Sequence, residues 1–111
     1  MRFTAGMRCL PSGRQLLLLM GQVVAGQRWG LGSAGVPARF KGGWGPGITP
    51  GRSDGWLERQ MGIVTVRGRQ LAVTIASAGA DHRVATRNLT ALARWVVSAI
   101  DTTSLRRTPA C

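Results

Sequence analysis

The residues able to do chemistry concentrate in one stretch of this chain, Arg39-Phe40-Lys41-Gly42-Gly43-Trp44-Gly45-Pro46-Gly47. Lys41 is the single lysine beside fourteen arginines. Its ammonium is a compact point charge suited to gripping an anion, where a guanidinium is a planar fork. The two glycines that follow strip Cβ from the backbone, and within a strand that lets a ligand or another chain approach closely. The competing description is a glycine-rich surface turn that happens to hold a lysine. The only histidine, His82, follows Asp81 and raises the idea of a proton relay. Neighbours in a loop rarely aim at one point, so a solvated histidine is the simpler expectation. Cys9 and Cys111 have no metal-ligand spacing, so the sequence predicts no metal site, no cofactor and no disulfide framework, and the two thiols read as incidental.

The elements that must position Lys41 follow from periodicity. Residues 1–11 show none and read as an unstructured lead. Ser12 and Gln15 have the capping-box pattern, and Leu16, Leu17, Met20, Val23 and Val24 recur at helical spacing, so the prediction is a helix over 12–25 stopped by Gly26. This describes the segment better than a secretion signal, whose apolar core would be interrupted at Gly21 and Gln22. Residues 36–43 read as a short strand with 39, 41 and 43 on one face and Phe40 on the other. Residues 48–55 read as an exposed loop. Two apolar runs, 56–66 and 69–77, flank Arg67 and Gly68, a spacing that predicts a tight hairpin. Its apolar residues fall on both faces and predict cover on both sides. Residues 79–84 read as a loop. Thr86 is the expected cap of a last helix over 87–100, with Leu89, Leu92, Ala93, Val96 and Ile100 as its apolar stripe and Trp95 explained by packing. Residues 102–111 are expected to fray.

At 111 residues and 44% hydrophobic, the chain has the size of one domain with a modest core, and its sixteen glycines imply irregular joins. A net charge of +11 raises nucleic acid as a partner. The arginines are spread almost evenly, however, with no basic helix face, stacking motif or Cys/His finger. No stretch reaches the roughly 18 apolar residues of a membrane span.

The order helix, K-G-G strand, hairpin, terminal helix resembles the C-terminal part of the serine β-lactamase and penicillin-binding (DD-peptidase-like transpeptidase) superfamily, with class A β-lactamase-like hydrolases nearest. Lys41-Gly42-Gly43 is similar to the family's K-[ST]-G strand, with Gly42 in place of the hydroxyl residue, and the resemblance covers about 12–101. It implies an α+β fold, a three-stranded antiparallel sheet flanked by helices. It implies acyl transfer on β-lactam or D-Ala-D-Ala-like amides, with Lys41, Gly42 and Gly43 binding substrate beside an attacking serine and the strand backbone lending an oxyanion-hole N–H. Arg59 is a second carboxylate-binding candidate, because arginine suits bidentate recognition. The chain departs from the pattern in having no S-x-x-K and no S-x-N, so no catalytic residue is assigned. The expectation is therefore a truncated or separately encoded C-terminal portion, inactive alone, that meets a β-lactam or peptidoglycan-peptide-like substrate only when completed by the missing half, and that is prone to self-association. The family is secreted or of the cell envelope, but no signal segment fixes a location here. The alternative is a basic arginine-rich module for nucleic acid or anionic envelope polymers.

Overall fold

The computed structural model describes residues 4, 6–49 and 52–105. It is an α+β arrangement in which three antiparallel strands, β1 (Ala38–Thr49), β2 (Arg52–Val66) and β3 (Arg69–Gly79), run in the order β1-β2-β3. Helix α1 (Gly13–Met20) precedes the sheet and α2 (His82–Ala99) follows it.

The hairpin between β2 and β3 turns on Arg67 and Gly68 as the spacing predicts. Both have positive φ, 50° and 75°, which matches the two-residue turn whose twist suits paired strands. From it the register runs Val64 to Leu71, Gly62 to Val73 and Gln60 to Ile75. On β1, Ala38 faces Val64 and Phe40 faces Gly62. These pairs place Phe40, Val64, Leu71, Val73 and Ile75 on one face, where α2 lays Leu89 and Ala93 against them. Ala85, Leu89 and Ala93 recur every four residues and are fully buried. Burial of each large apolar side chain here is worth about 1.5–3 kcal/mol. Gly62 has no substitute at the crossing with β1, because a Cβ there would lie 2.3 Å from the Arg39 carbonyl oxygen.

The opposite face is only partly covered, which corrects the expectation of a hairpin buried on both sides. Arg39, Ile63 and Ala72 line a small recess with Thr4 and Leu17 from the N-terminal segment, but Thr74 and Ala76 are exposed. The N-terminal segment that supplies this cover is not plain lead: Met7–Cys9 forms a 3-10 turn, and Met7 and Thr4 are buried. Cys9 is disulfide-bonded rather than an incidental thiol.

Element boundaries differ from expectation where a local signal met a longer-range one. Helix α1 ends at Gly21, not Gly26, because the Gly21 N–H closes back on the Leu18 carbonyl and the Gln22 N–H on the Leu19 carbonyl. Ser12 occupies the cap position with no side-chain cap bond. Strands β1 and β2 continue through most of the expected 48–55 loop, pairing Ile48 with Ser53 across a register shift after Pro46. Proline is tolerated there because β1 is an edge strand. Helix α2 starts at His82 with Asp81 as its cap, whose carboxylate accepts from the Val84 N–H at 2.8 Å. Thr86 sits inside the helix and donates back to the His82 carbonyl. Trp95 is 65% exposed, so packing does not account for it. Thr102 is buried and its carbonyl accepts from Arg69, while 106–111 lie outside the described residues.

Candidate functional site

Alternation along β1 separates the K-G-G residues between the two faces. Phe40 is 1% exposed and locked in the core, whereas Lys41 next to it is exposed on the less covered face. The register places Met61 opposite Lys41 and Arg59 opposite Gly43. Lys41, Gly43 and Arg59 therefore share one face, with Arg59 exposed and diagonal to the lysine. Gly42 falls on the other face, beside Trp44 and Gln60: a Cβ on it would meet the Trp44 ring at 3.5 Å. The Lys41 ammonium donates to the Gly42 carbonyl of its own strand. Beyond β1 the sheet adds no further strand among the described residues, so this stretch of backbone lies at an edge. Such an edge can pair with an extended amide, and a cation and two glycines beside it leave room for an anionic group. Position 42 adds no side-chain hydroxyl to this edge, because that residue is glycine.

A second constellation was not anticipated. Glu58 is fully buried in the middle of the sheet, paired across to Trp44 and Ser77. Its Oε1 accepts from Trp56 Nε1 at 2.8 Å and meets His82 Nδ1 at 2.5 Å. His82 is thus neither a bare solvated side chain nor a partner of Asp81, which is occupied in capping α2. Three indoles close round the imidazole. Its centroid lies 5.2 Å from Trp29, 5.6 Å from Trp56 and 6.4 Å from Trp44, and Trp29 meets Trp44 edge-on at 5.4 Å. These are attractive quadrupolar separations. Each of these residues is separately visible in the sequence, but only the strand register and the helix start bring them together.

The loop that carries Trp29 is fastened from beneath. Gln60 is 2% exposed and bonds twice to it: Nε2 donates to the Trp29 carbonyl at 2.9 Å and Oε1 accepts from the Leu31 N–H at 2.8 Å. The Gly30 N–H donates to Thr90 on α2 at 2.8 Å. Gly30 has φ 63°, and a Cβ on it would stand 2.2 Å from Gln60 Oε1. This anchoring holds the Trp29 end of the aromatic group against β1, directly behind the K-G-G stretch.

No group of three or more His, Cys, Asp or Glu side chains able to hold a metal occurs among the described residues. Compared with protein-family models, curated proteins and solved structures, the chain matches none.

Proposed function

We propose that the chain supplies the substrate strand of a serine acyl-transfer hydrolase resembling the β-lactamase and penicillin-binding superfamily, and that it is silent by itself. The observation that carries this reading is the shared exposed face of Lys41, Gly43 and Arg59 on an edge strand. In the proposed reaction the β1 backbone pairs with the substrate amide, while Lys41 and Arg59 hold its carboxylate. Lys41 also places positive charge where the carbonyl oxygen becomes an oxyanion. The attacking serine and its base come from an S-x-x-K segment that lies outside these 111 residues. Glycine at 42 removes the hydroxyl that would share the carboxylate, which places more of that binding on Arg59.

The test has two parts. The purified chain is incubated with a chromogenic β-lactam, with no turnover and no covalent mass adduct expected. It is then mixed with a separately produced polypeptide bearing the family's S-x-x-K and S-x-N elements. Turnover should appear and should drop by about 10²–10³ in Lys41→Ala, the usual cost of losing one oxyanion-stabilising group. An adduct on any serine of the chain alone, or reconstituted turnover indifferent to Lys41, overturns the reading.

A further inference from the structure

Among the described residues seven large apolar side chains stand exposed, and five of them, Leu10, Leu16, Leu18, Leu19 and Val24, fall on α1 or within four residues of it. Single exposed apolar residues are ordinary, but a gathered set marks a surface that meets something. Helix α1 turns Gly13 and Met20 inward, with Leu17 half-buried on the same side and lining a recess with Arg39, Ile63 and Ala72. Leu18 and Leu19, 48% and 55% exposed, therefore lie on the side that faces away from the sheet. We propose that α1 docks the protein on an anionic lipid surface, with Leu16, Leu18 and Leu19 entering the boundary between headgroups and acyl chains while the arginines beside them meet lipid phosphates. The proposal does not depend on the acyl-transfer reading.

Charge decides between a lipid surface and an apolar protein partner. Residues 1–53 contain no aspartate or glutamate. Arg14 is exposed on α1 itself, one turn before Leu18. Arg39, Lys41 and Arg59 are exposed on the sheet face over which α1 lies. The Arg39 stem rests on the end of α1, where a Cβ at Gly21 would be 3.7 Å from its Cγ. A guanidinium on such a stem reaches the headgroup layer while its methylenes cover apolar surface. Acidic side chains lie elsewhere among the described residues: Glu58 is buried in the opposite face, and Asp81 and Asp101 flank α2, which covers that face. Arg83, Arg87 and Arg94 on α2 thus have acidic neighbours along the chain, whereas the α1 side presents cations beside leucines.

The helix is too short to do more than lie on the surface. Its eight residues rise about 12 Å, against a hydrocarbon core of about 30 Å, and no described helix is long and apolar enough to cross a membrane. A helix with an apolar outer side and arginines at its margins rests in the plane of the interface instead. The segment is also already folded: the Gly13 N–H donates to the Leu10 carbonyl at 2.9 Å, and Met7 and Met20 are buried beneath it. Docking therefore avoids the ordering entropy that a free peptide loses when it becomes helical on a membrane. Apolar burial supplies the hold, and the cations select anionic over neutral lipid.

Flotation of the full chain with phosphatidylglycerol–phosphatidylcholine vesicles and with pure phosphatidylcholine vesicles, over a range of salt, tests the proposal. The chain should partition onto the anionic vesicles and leave them progressively as salt rises. The double substitution Leu18→Gln, Leu19→Gln should weaken partition by about tenfold or more, and Arg14→Gln by roughly fivefold. Trp95→Gln on α2, which replaces a side chain still more exposed, should leave it unchanged. On the unaltered chain, a spin-labelled lipid in small anionic bicelles should broaden the amide signals of residues 14–21 before those of α2, a readout that does not depend on how the variants fold. Each of four results refutes the proposal: no partition onto anionic vesicles, equal partition onto neutral ones, partition indifferent to the leucine pair and so due to charge alone, or broadening centred on α2. A lipid-free dimer dispersed by the same leucine substitutions, without vesicle binding, would assign the surface to a second copy of the chain instead.

Discussion

His82 Nδ1 and Glu58 Oε1 lie 2.5 Å apart, joining the first residue of α2 to a fully buried carboxylate in β2. The histidine is partly open to solvent while the carboxylate is not, so the pair is worth less than a fully buried one. Removing Glu58 nonetheless deprives His82 of this partner, and removing His82 leaves Glu58 Oε1 with the Trp56 indole N–H alone. A double-mutant cycle of Glu58→Ala and His82→Ala, measured by urea unfolding, should return a coupling of about 0.5–2 kcal/mol. Strict additivity would mean that the contact contributes nothing to holding α2 on the sheet.

Gln60 spans the gap between β2 and the Trp29 loop with both ends of its amide. Gln60→Leu keeps roughly the size and strands the Leu31 N–H and the Trp29 carbonyl, at about 1–3 kcal/mol for each buried group left unmade. Global stability should fall, and amide exchange at Leu31 should accelerate more than at Val73 in the core. Unchanged protection at Leu31 would show that water replaces the amide without loss.

How far the chain could be read in advance depends on the range of the forces involved. The 67–68 turn, the alternation that buries Phe40 and exposes Lys41, and the 85–89–93 stripe are local, and local periodicity reveals them. The α2 start was misplaced by five residues because its first turn, His82 to Ala85, carries a single large apolar side chain and so no stripe to read. The burial of Glu58 has no local sign at all. A charged residue in a period-2 strand normally faces water, and what reverses this is a histidine 24 residues later and an indole two residues earlier.

Asp101 is fully exposed, yet its carboxyl is held below the ordinary aspartate value, first by the Thr103 hydroxyl at 2.7 Å and then by the Thr103 N–H at 2.9 Å. A group whose folded pKa lies below its unfolded one adds stability above the unfolded value and loses it as pH falls through the folded one. The contribution should therefore be present at neutral pH and vanish in acid. In Thr103→Val the first of these donors is gone, so the Asp101 carboxyl carbon, followed by NMR, should titrate at a higher pH than in the parent chain. An unchanged midpoint would assign the shift to something other than the hydroxyl.

Arg67 is the only non-glycine residue with positive φ among those described, at 50°, and it occupies the first central position of the β2–β3 hairpin. A side chain with Cβ in this left-handed conformation costs about 1–2 kcal/mol relative to a residue at ease there. Asparagine tolerates it because its short amide bonds locally, and Asn-Gly is the favoured pair for this turn. The arginine is exposed, so its replacement removes no packing. It also lowers a large positive charge by one, which relieves self-repulsion slightly. Arg67→Asn should raise stability by about 0.5–1 kcal/mol, seen as a higher urea midpoint with an unchanged slope. The size of the gain at high salt separates the two causes, because backbone relief survives screening and charge relief does not. A lower midpoint would mean that the turn geometry is not the one described, and the register from Val66–Arg69 to Gln60–Ile75 would have to be redrawn with it.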